Sequence, residues 1–434
     1  MKIFLFAFST LIVFSTKAQS TIEEVAHCLS KHKYKKVYKS FDDNMKSKIS
    51  KAKLEEIWVQ MEKVSGNLTA MEDVTSTSVD GGVRQTAVLK FDQSALKLSL
   101  SENKEGKLSG LFISQLGYQQ PKYAEGLGVG KKYINFNSHS FNMSGELVIP
   151  LDCKNCPVVI FVHGSGPNDK DETIGPNKVF YDLAMGLASK GVASYRYDKR
   201  SKLYPETVAG QFDLYDETIN DAISAFRIIK SDTSLKFGKY VMLGHSLGAY
   251  AMPLIADSLG DELNGAILFS SNARKLEDLI EYQMNYLTNF DGELTSEEQK
   301  VIKENTQRAE NIRTDNFTNE TSAENLLAYW PGTFWKGIAN YSPVSTLKQN
   351  KTTPFYILQG EKDYQITMTD FEIWRSEVGA QSNVTMMSYP GLTHLFTPTE
   401  SVKSGPQDYF LPNNVDFKVI FDIADWVRLA TTSN

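Results

Sequence analysis

Apolar positions along the chain change their period twice. From Thr21 to Lys63 they recur at helical spacing, with Ile22, Val25, Ala26 and Leu29 on one stripe and Leu54, Ile57, Trp58 and Met61 on another. After Gly66 the pattern becomes that of strands: Leu68 to Val79, Val83 to Phe91, Leu96 to Leu100 and Leu108 to Ile113. Turn chemistry separates them at Asp80-Gly81-Gly82 and Lys104-Glu105-Gly106. Helices followed by an antiparallel meander predict a small α+β domain over residues 19–115.

Gly117 to Gly130 contains Pro121 and four glycines, a linker composition, so residues 116–131 are expected to join this domain to a second one over 132–434. There a polar hairpin (Tyr133 to Phe136, Gly145 to Leu151) leads into an alternation of apolar strands and amphipathic helices. The strands are Pro157 to Val162, Val192 to Tyr197, Tyr240 to Leu243 and Gly265 to Phe269, with helices near 177–190 and 214–230 and another from Leu247. Such alternation predicts an α/β fold, a mostly parallel sheet covered by helices, with ligands at the carboxyl ends of its strands. Residues 270–353 then separate Phe269 from the next strand, Pro354 to Leu358, far more chain than one crossover helix requires. Leu276, Leu279, Ile280, Met284 and Leu287 keep a helical period inside this gap, and Thr295 with Glu298 and Thr321 with Glu324 fit capping boxes. A helical lid over residues 272–345 is the expectation. Its aromatics Tyr329, Trp330, Phe334 and Trp335 fit packing first and an apolar ligand pocket second. A helix at 368–379, a strand at Val384 to Tyr389 and a helix at 415–430 close the chain.

At 434 residues, 41% apolar and 23% charged with 14 Pro and 28 Gly, the chain has the material for more than one core and none of the bias of a disordered or fibrous sequence. A net charge of −6 without a long block of either sign gives no footprint for nucleic acid and suits a small-molecule ligand. Lys2, the apolar run Ile3 to Phe14 and small Ala18 have the layout of a secretory signal peptide over residues 1–18. An uncleaved anchor or buried helix is the alternative, but the run is shorter than the roughly 20 residues of a membrane crossing. The mature chain is expected to be exported, periplasmic or extracellular, with no membrane span. Three cysteines are too few for a disulfide scaffold. Cys153 and Cys156, between two strands and followed by Pro157, read as a local bridge or inert thiols ahead of a redox pair, and Cys28 as a buried thiol.

Gly244-His245-Ser246-Leu247-Gly248 follows a strand and opens a helix. A nucleophile on so tight a turn needs glycine on both sides, and the turn lifts the Ser246 hydroxyl above the sheet edge at a helix N-terminus. Serine needs a base. Of six histidines, His27 and His32 fall in the first domain, His139 in the hairpin, His163 in a glycine turn, and His245 adjoins the nucleophile pointing elsewhere; His394, after the strand ending at Tyr389, remains. The orienting acid should lie between them. Asp363, in the turn after the strand Phe355 to Leu358, fits best, with Glu361 as the fallback. Oxyanion donors are expected from the amide of Leu247 and from that of Ser165, or alternatively Gly166, in the turn His163-Gly164-Ser165-Gly166-Pro167. This chemistry requires no metal or organic cofactor.

Residues 131–430 resemble the α/β-hydrolase superfamily, and more narrowly its bacterial esterase branch grouped with serine aminopeptidase-like (S33-type) hydrolases. The blocks carrying the resemblance are HGSGPNDKDETIGPNKVFYDLA (163–184), YRYDKR (195–200), GHSLG (244–248), GEKD (360–363) and THLF (393–396). Residues 21–115 resemble the small DUF3887-type α+β domain. Together they imply a Ser-His-Asp hydrolase acting on small-molecule carboxylic esters through an acyl-enzyme. A peptidase or amidase is the alternative within enzymes, and an inactive binding module the alternative outside them. One departure is Ser270-Ser271-Asn272, where relatives often carry Gly or Pro, which leaves the start of the lid open.

Overall fold

A computed structural model describes residues 16–92 and 94–429; most of the segment read as a signal peptide, residues 1–15, lies outside the described residues. The chain divides into two compact units, Met1–Gly117 and Tyr118–Asn434.

In the first unit, α1 (Thr16–Ser30), α2 (Tyr34–Ser40), α3 (Asp43–Lys48) and α4 (Lys51–Ser65) precede the antiparallel meander β1 (Leu68–Val79), β2 (Gly82–Phe91), β3 (Ala95–Asn103) and β4 (Leu108–Gln115), paired in chain order. Asp42 and Ser50 cap α3 and α4 by accepting from Met45 N and Lys53 N. Alternate residues of β2 and β3, among them Leu89, Leu98 and Leu100, bury against Ile22, Leu29 and Trp58.

The second unit starts earlier than the glycine-rich composition predicts. Of the expected 116–131 linker, residues from Tyr118 onward are built into it: Tyr118 donates to Asp182 (2.5 Å), Tyr123 donates to the Val415 carbonyl (3.1 Å), and β5 (Val129–Tyr133) forms a sheet edge. Tyr123, Ala124, Leu127 and Val129 are set between the glycines and pack on the core, which outweighs the turn-forming residues around them.

After β5 come the small hairpin β6 (Phe136–Ser138) and β7 (Phe141–Met143), then β8 (Gly145–Pro150), β9 (Val158–Val162), the short pair β10 (Thr173–Ile174) and β11 (Asn177–Lys178), α5 (Val179–Ser189), β12 (Ala193–Tyr197), α6 (Arg200–Leu203) and α7 (Asn220–Ser231). A π-turn over Tyr215–Ile219 leads into α7, where the sequence predicts one continuous helix. Then follow β13 (Tyr240–His245), α8 (Leu247–Leu259), β14 (Gly265–Phe269), α9 (Leu276–Thr288), α10 (Ser296–Arg313), α11 (Gly332–Ile338), α12 (Pro343–Gln349), β15 (Phe355–Gly360), α13 (Met368–Val378), β16 (Val384–Tyr389) and α14 (Phe417–Leu429).

The sheet order is β16-β15-β14-β13-β9-β12-β8-β5, parallel from β16 through β12, with β8 and β5 antiparallel at one edge. This is the α/β-hydrolase architecture. Every residue of β9 and β14 is buried, as strands covered on both faces require, each large side chain contributing about 1.5–3 kcal/mol of apolar burial. The insertion between β14 and β15 is helical. Thr295 and Glu298 form their reciprocal capping box at the start of α10, whereas Thr321 and Glu324 do not: Thr321 Oγ1 accepts from Thr318 N within a turn. Cys153 and Cys156 are joined in a disulfide before β9, and Cys28 is a buried free thiol.

Candidate active site

Ser246 occupies a left-handed backbone conformation (φ 54°, ψ −115°) between the last residue of β13 and the first of α8. The flanking glycines are required by contact. A Cβ on Gly244 would overlap the Gly248 carbonyl, and one on Gly248 would overlap the Val162 carbonyl at the end of β9. The Ser246 amide donates to the Phe269 carbonyl (3.0 Å), locking the turn to the end of β14.

The carboxyl ends of neighbouring strands bring up the other groups. Register pairs Gly244 with Val162 and His245 with Phe269, so the loops after β9, β13 and β14 leave the sheet side by side. After β15, Asp363 is held by two backbone donors, Gln365 N (2.8 Å) and Ile366 N (2.9 Å), both to Oδ1. Its Oδ2 accepts from Gln359 Nε2 (3.2 Å) and from His394 Nδ1 (2.6 Å); among the described residues no group, Ser246 Oγ included, is hydrogen-bonded to Nε2 of His394. Both residues are buried. The fallback acid Glu361 is exposed and accepts from Ser388 instead. His394 comes from the loop after β16, where Thr393 and Thr397 bond through both backbone and hydroxyls.

Gly164 packs against Ser246, a Cβ there falling 3.2 Å from the Ser246 Cβ. Among the described residues no acceptor serves the amides of Ser165 or Leu247. Both residues line a cavity of about 250 Å³ together with Ser246. Its far wall is apolar, with Leu276, Leu279, Ile280, Met284 and Leu287 of α9 facing Trp330 and Ile366, and only Asn272, Gln283 and Gln365 add polar groups. No charged side chain lines it. Of the predicted lid aromatics, Phe334 and Trp335 are buried in packing, Tyr329 is exposed, and Trp330 reaches the cavity.

The departure at 270–272 is anchored. Ser270 has φ 54°, the Ser271 carbonyl accepts from Trp374 Nε1 (2.9 Å), and Asp370 accepts from the amides of Ala273 (3.0 Å) and Arg274 (3.1 Å) and from the Arg274 guanidinium. The first turn of α13 thus holds the start of the insertion, a role the sequence does not disclose.

A second layer of buried charge was also not legible. His245 donates from Nδ1 to Glu172 (2.9 Å) and from Nε2 to the His394 carbonyl (3.1 Å), and Glu172 also accepts from the Gly164 amide (2.7 Å). Burial opposes ionisation of both, but their mutual attraction and hydrogen bond prevail, raising the His245 pKa and lowering that of Glu172. His163, equally buried but without a carboxylate on its ring, is pushed down to about 4 by desolvation and stays neutral, with Nε2 on the Asp169 carbonyl. Lys199 is buried against Glu217 (2.6 Å) and the Gly164 carbonyl (2.7 Å). The signal for these residues lay in the charged blocks 163–184 and 195–200, whose acids and bases are spaced too irregularly to pair from sequence. Among the described residues no cluster of three or more His, Cys, Asp or Glu is placed to hold a metal ion, and no helix is long and apolar enough to cross a membrane.

Comparison with known proteins matches residues 154–401 to the family described as serine aminopeptidase, S33, and residues 23–111 to the family described as protein of unknown function (DUF3887). Esterase EstD of Thermotoga maritima is 31% identical over 433 residues, spanning 98% of this chain and 99% of its own. Among solved structures, Est1E from Butyrivibrio proteoclasticus (14% identity, TM-score 0.45) covers 69% of this chain and 99% of its own. An esterase of Pyrococcus furiosus (13% identity, TM-score 0.42) covers 73% and 96%.

Proposed function

Since the chain belongs to the serine aminopeptidase S33 family of α/β hydrolases, we propose that it hydrolyses small-molecule carboxylic esters at Ser246 by two-step acyl transfer, with His394 as base and Asp363 as its orienting acid. The observation that carries this reading is Ser246 on a strained strand-to-helix turn in the lining of an apolar cavity, with the Asp363–His394 pair at the same sheet edge.

His394 takes the Ser246 proton through Nε2 as Oγ attacks the ester carbonyl. Asp363, accepting from Nδ1, fixes the tautomer and stabilises the imidazolium. The amides of Leu247 and Ser165 bind the oxyanion, and the start of α8 adds the field of its N-terminus. His394 returns the proton to the leaving alcohol, and water repeats the sequence on the acyl-enzyme. Deacylation regenerates Ser246 with no cofactor consumed.

The serine aminopeptidase name raises amide cleavage as a second reading. The cavity disfavours it: an aminoacyl group would bring an ammonium into a lining without a carboxylate. Export to the periplasm or beyond is part of the proposal, supported by the leader-like residues 1–18 and by the Cys153–Cys156 bridge. The test is to treat purified protein with a fluorophosphonate and compare nitrophenyl esters with aminoacyl nitroanilides. Labelling at Ser246 with ester turnover is expected; an unlabelled Ser246, or turnover confined to the nitroanilides, overturns the reading.

A further inference from the structure

Lys199 is 2% exposed and, among the described residues, its ammonium donates to two oxygens, Glu217 Oε1 (2.6 Å) and the carbonyl of Gly164 (2.7 Å). A buried ion pair is not needed for stability, since well-packed apolar side chains of similar volume commonly serve as well. Its placement points to another duty. The Gly164 carbonyl belongs to the peptide whose N–H is that of Ser165, and a trans peptide directs its C=O and N–H to opposite sides. Donors also meet the neighbouring carbonyls of this loop: Asn168 Nδ2 donates to Gly164 O (3.2 Å) and Ser165 O (3.1 Å), and Ser201 Oγ donates to Gly166 O (3.2 Å). On its other side Gly164 is gripped through its own amide by Glu172. The Gly164 carbonyl therefore meets donors, which leaves the Ser165 N–H on the opposite side of the same peptide, and Ser165 is a lining residue of the cavity.

We propose that Lys199, held by Glu217, is the positioning residue of the oxyanion site: it fixes the Gly164–Ser165 peptide with its N–H toward the cavity and polarises that peptide so that the N–H donates more strongly. A charge-assisted bond to a carbonyl is roughly twice as strong as a neutral one, and hydrogen bonds in series through one peptide reinforce each other. Lys199 touches no substrate. This inference rests on the triad reading and concerns a different property, the quality of one donor.

The test compares nitrophenyl butyrate with its thionoester, whose sulfur is a poor acceptor, on the full chain carrying Lys199→Met, Lys199→Arg or the double change Lys199→Met/Glu217→Leu. The double variant removes the pair without stranding a buried carboxylate and serves if the single one fails to fold. Losing a whole oxyanion donor costs about 10²–10³ in kcat, so weakening one is expected to cost about 10–100-fold on the oxoester. KM should stay within about three-fold, the oxo-to-thiono rate ratio should fall by a similar factor, and Lys199→Arg should recover most of the loss. Equal losses on both esters, or an unchanged ratio in the double variant, would overturn the role of Lys199. A parallel Ser246→Ala control separates the two layers. If that control keeps wild-type turnover, the triad reading falls and this proposal with it; if it is inactive while the ratio stays unchanged, only Lys199 is misassigned.

Discussion

His245 meets an acceptor at both ring nitrogens, Glu172 at 2.9 Å and the backbone carbonyl of His394 at 3.1 Å, an arrangement that favours the charged ring and raises its pKa. Glu172 in turn accepts from the Gly164 amide, and the pair ties the loop after β9 to the loop that carries His394. The residue beside Ser246 is thus a clasp between the loop after β9 and the loop after β16.

Removing one partner of that clasp should be expensive. His245→Gln leaves Glu172 charged and unpaired, with an expected loss of about 3–5 kcal/mol. The loss depends on pH. His245 has a folded pKa above its ordinary value, so its contribution is complete below about 6.5 and fades as pH rises through the folded value; Glu172 has a lowered one, so its contribution is present above about 4.5 and fades on acidification. Urea denaturation of wild type and variant across pH should show the largest difference between those limits. A difference independent of pH would rule out the charged pair.

Ser246→Ala is expected to lower ester turnover by on the order of 10⁶ with an unaltered melting curve, and Asp363→Asn by about 10⁴ through loss of the correct His394 tautomer. Active-site titration must exclude wild-type carry-over. Turnover retained within ten-fold in either variant would remove that residue from the mechanism.

Ile280 faces the cavity from the middle of α9, so Ile280→Trp fills space that an acyl chain would use. Profiles of kcat/KM from nitrophenyl acetate to decanoate should lose about 10–100-fold at the long end and little at acetate, as about 1–3 kcal/mol per excluded group implies. A uniform drop along the series would place the acyl chain elsewhere.

Gly248→Ala drives a methyl into the Val162 carbonyl and is expected to cost at least about 1–3 kcal/mol while displacing Ser246. Opening the Cys153–Cys156 bridge by a double alanine change is expected to cost no more than about 2 kcal/mol, because the loop it closes is short, and to leave ester turnover intact, because it lies at the amino end of β9, opposite Ser246. Chemical denaturation alongside activity checks both.

What could be read from sequence follows from range. The strands from β9 to β16 and the helices between them announce themselves by period, and the Ser246 turn by its two glycines, because each signal sits within a few consecutive residues. Asp363 and His394 could be named because both follow strands whose carboxyl ends the topology places together. Glu172, Lys199, Glu217 and Asp370 could not: each is defined by a partner 18 to 97 residues away, and nothing local distinguishes a buried acid from a solvated one. The misread linker fails for the same reason, since the partners of Tyr118 and Tyr123 lie at Asp182 and Val415.

Everything between Ser270 and Pro354 enters and leaves through β14 and β15, which lie next to each other and pair directly from Ala266–Phe355 to Phe269–Leu358. The helices that wall the cavity accordingly join the sheet at a single seam between two neighbouring strands, so their length can vary without a break in the strand ladder.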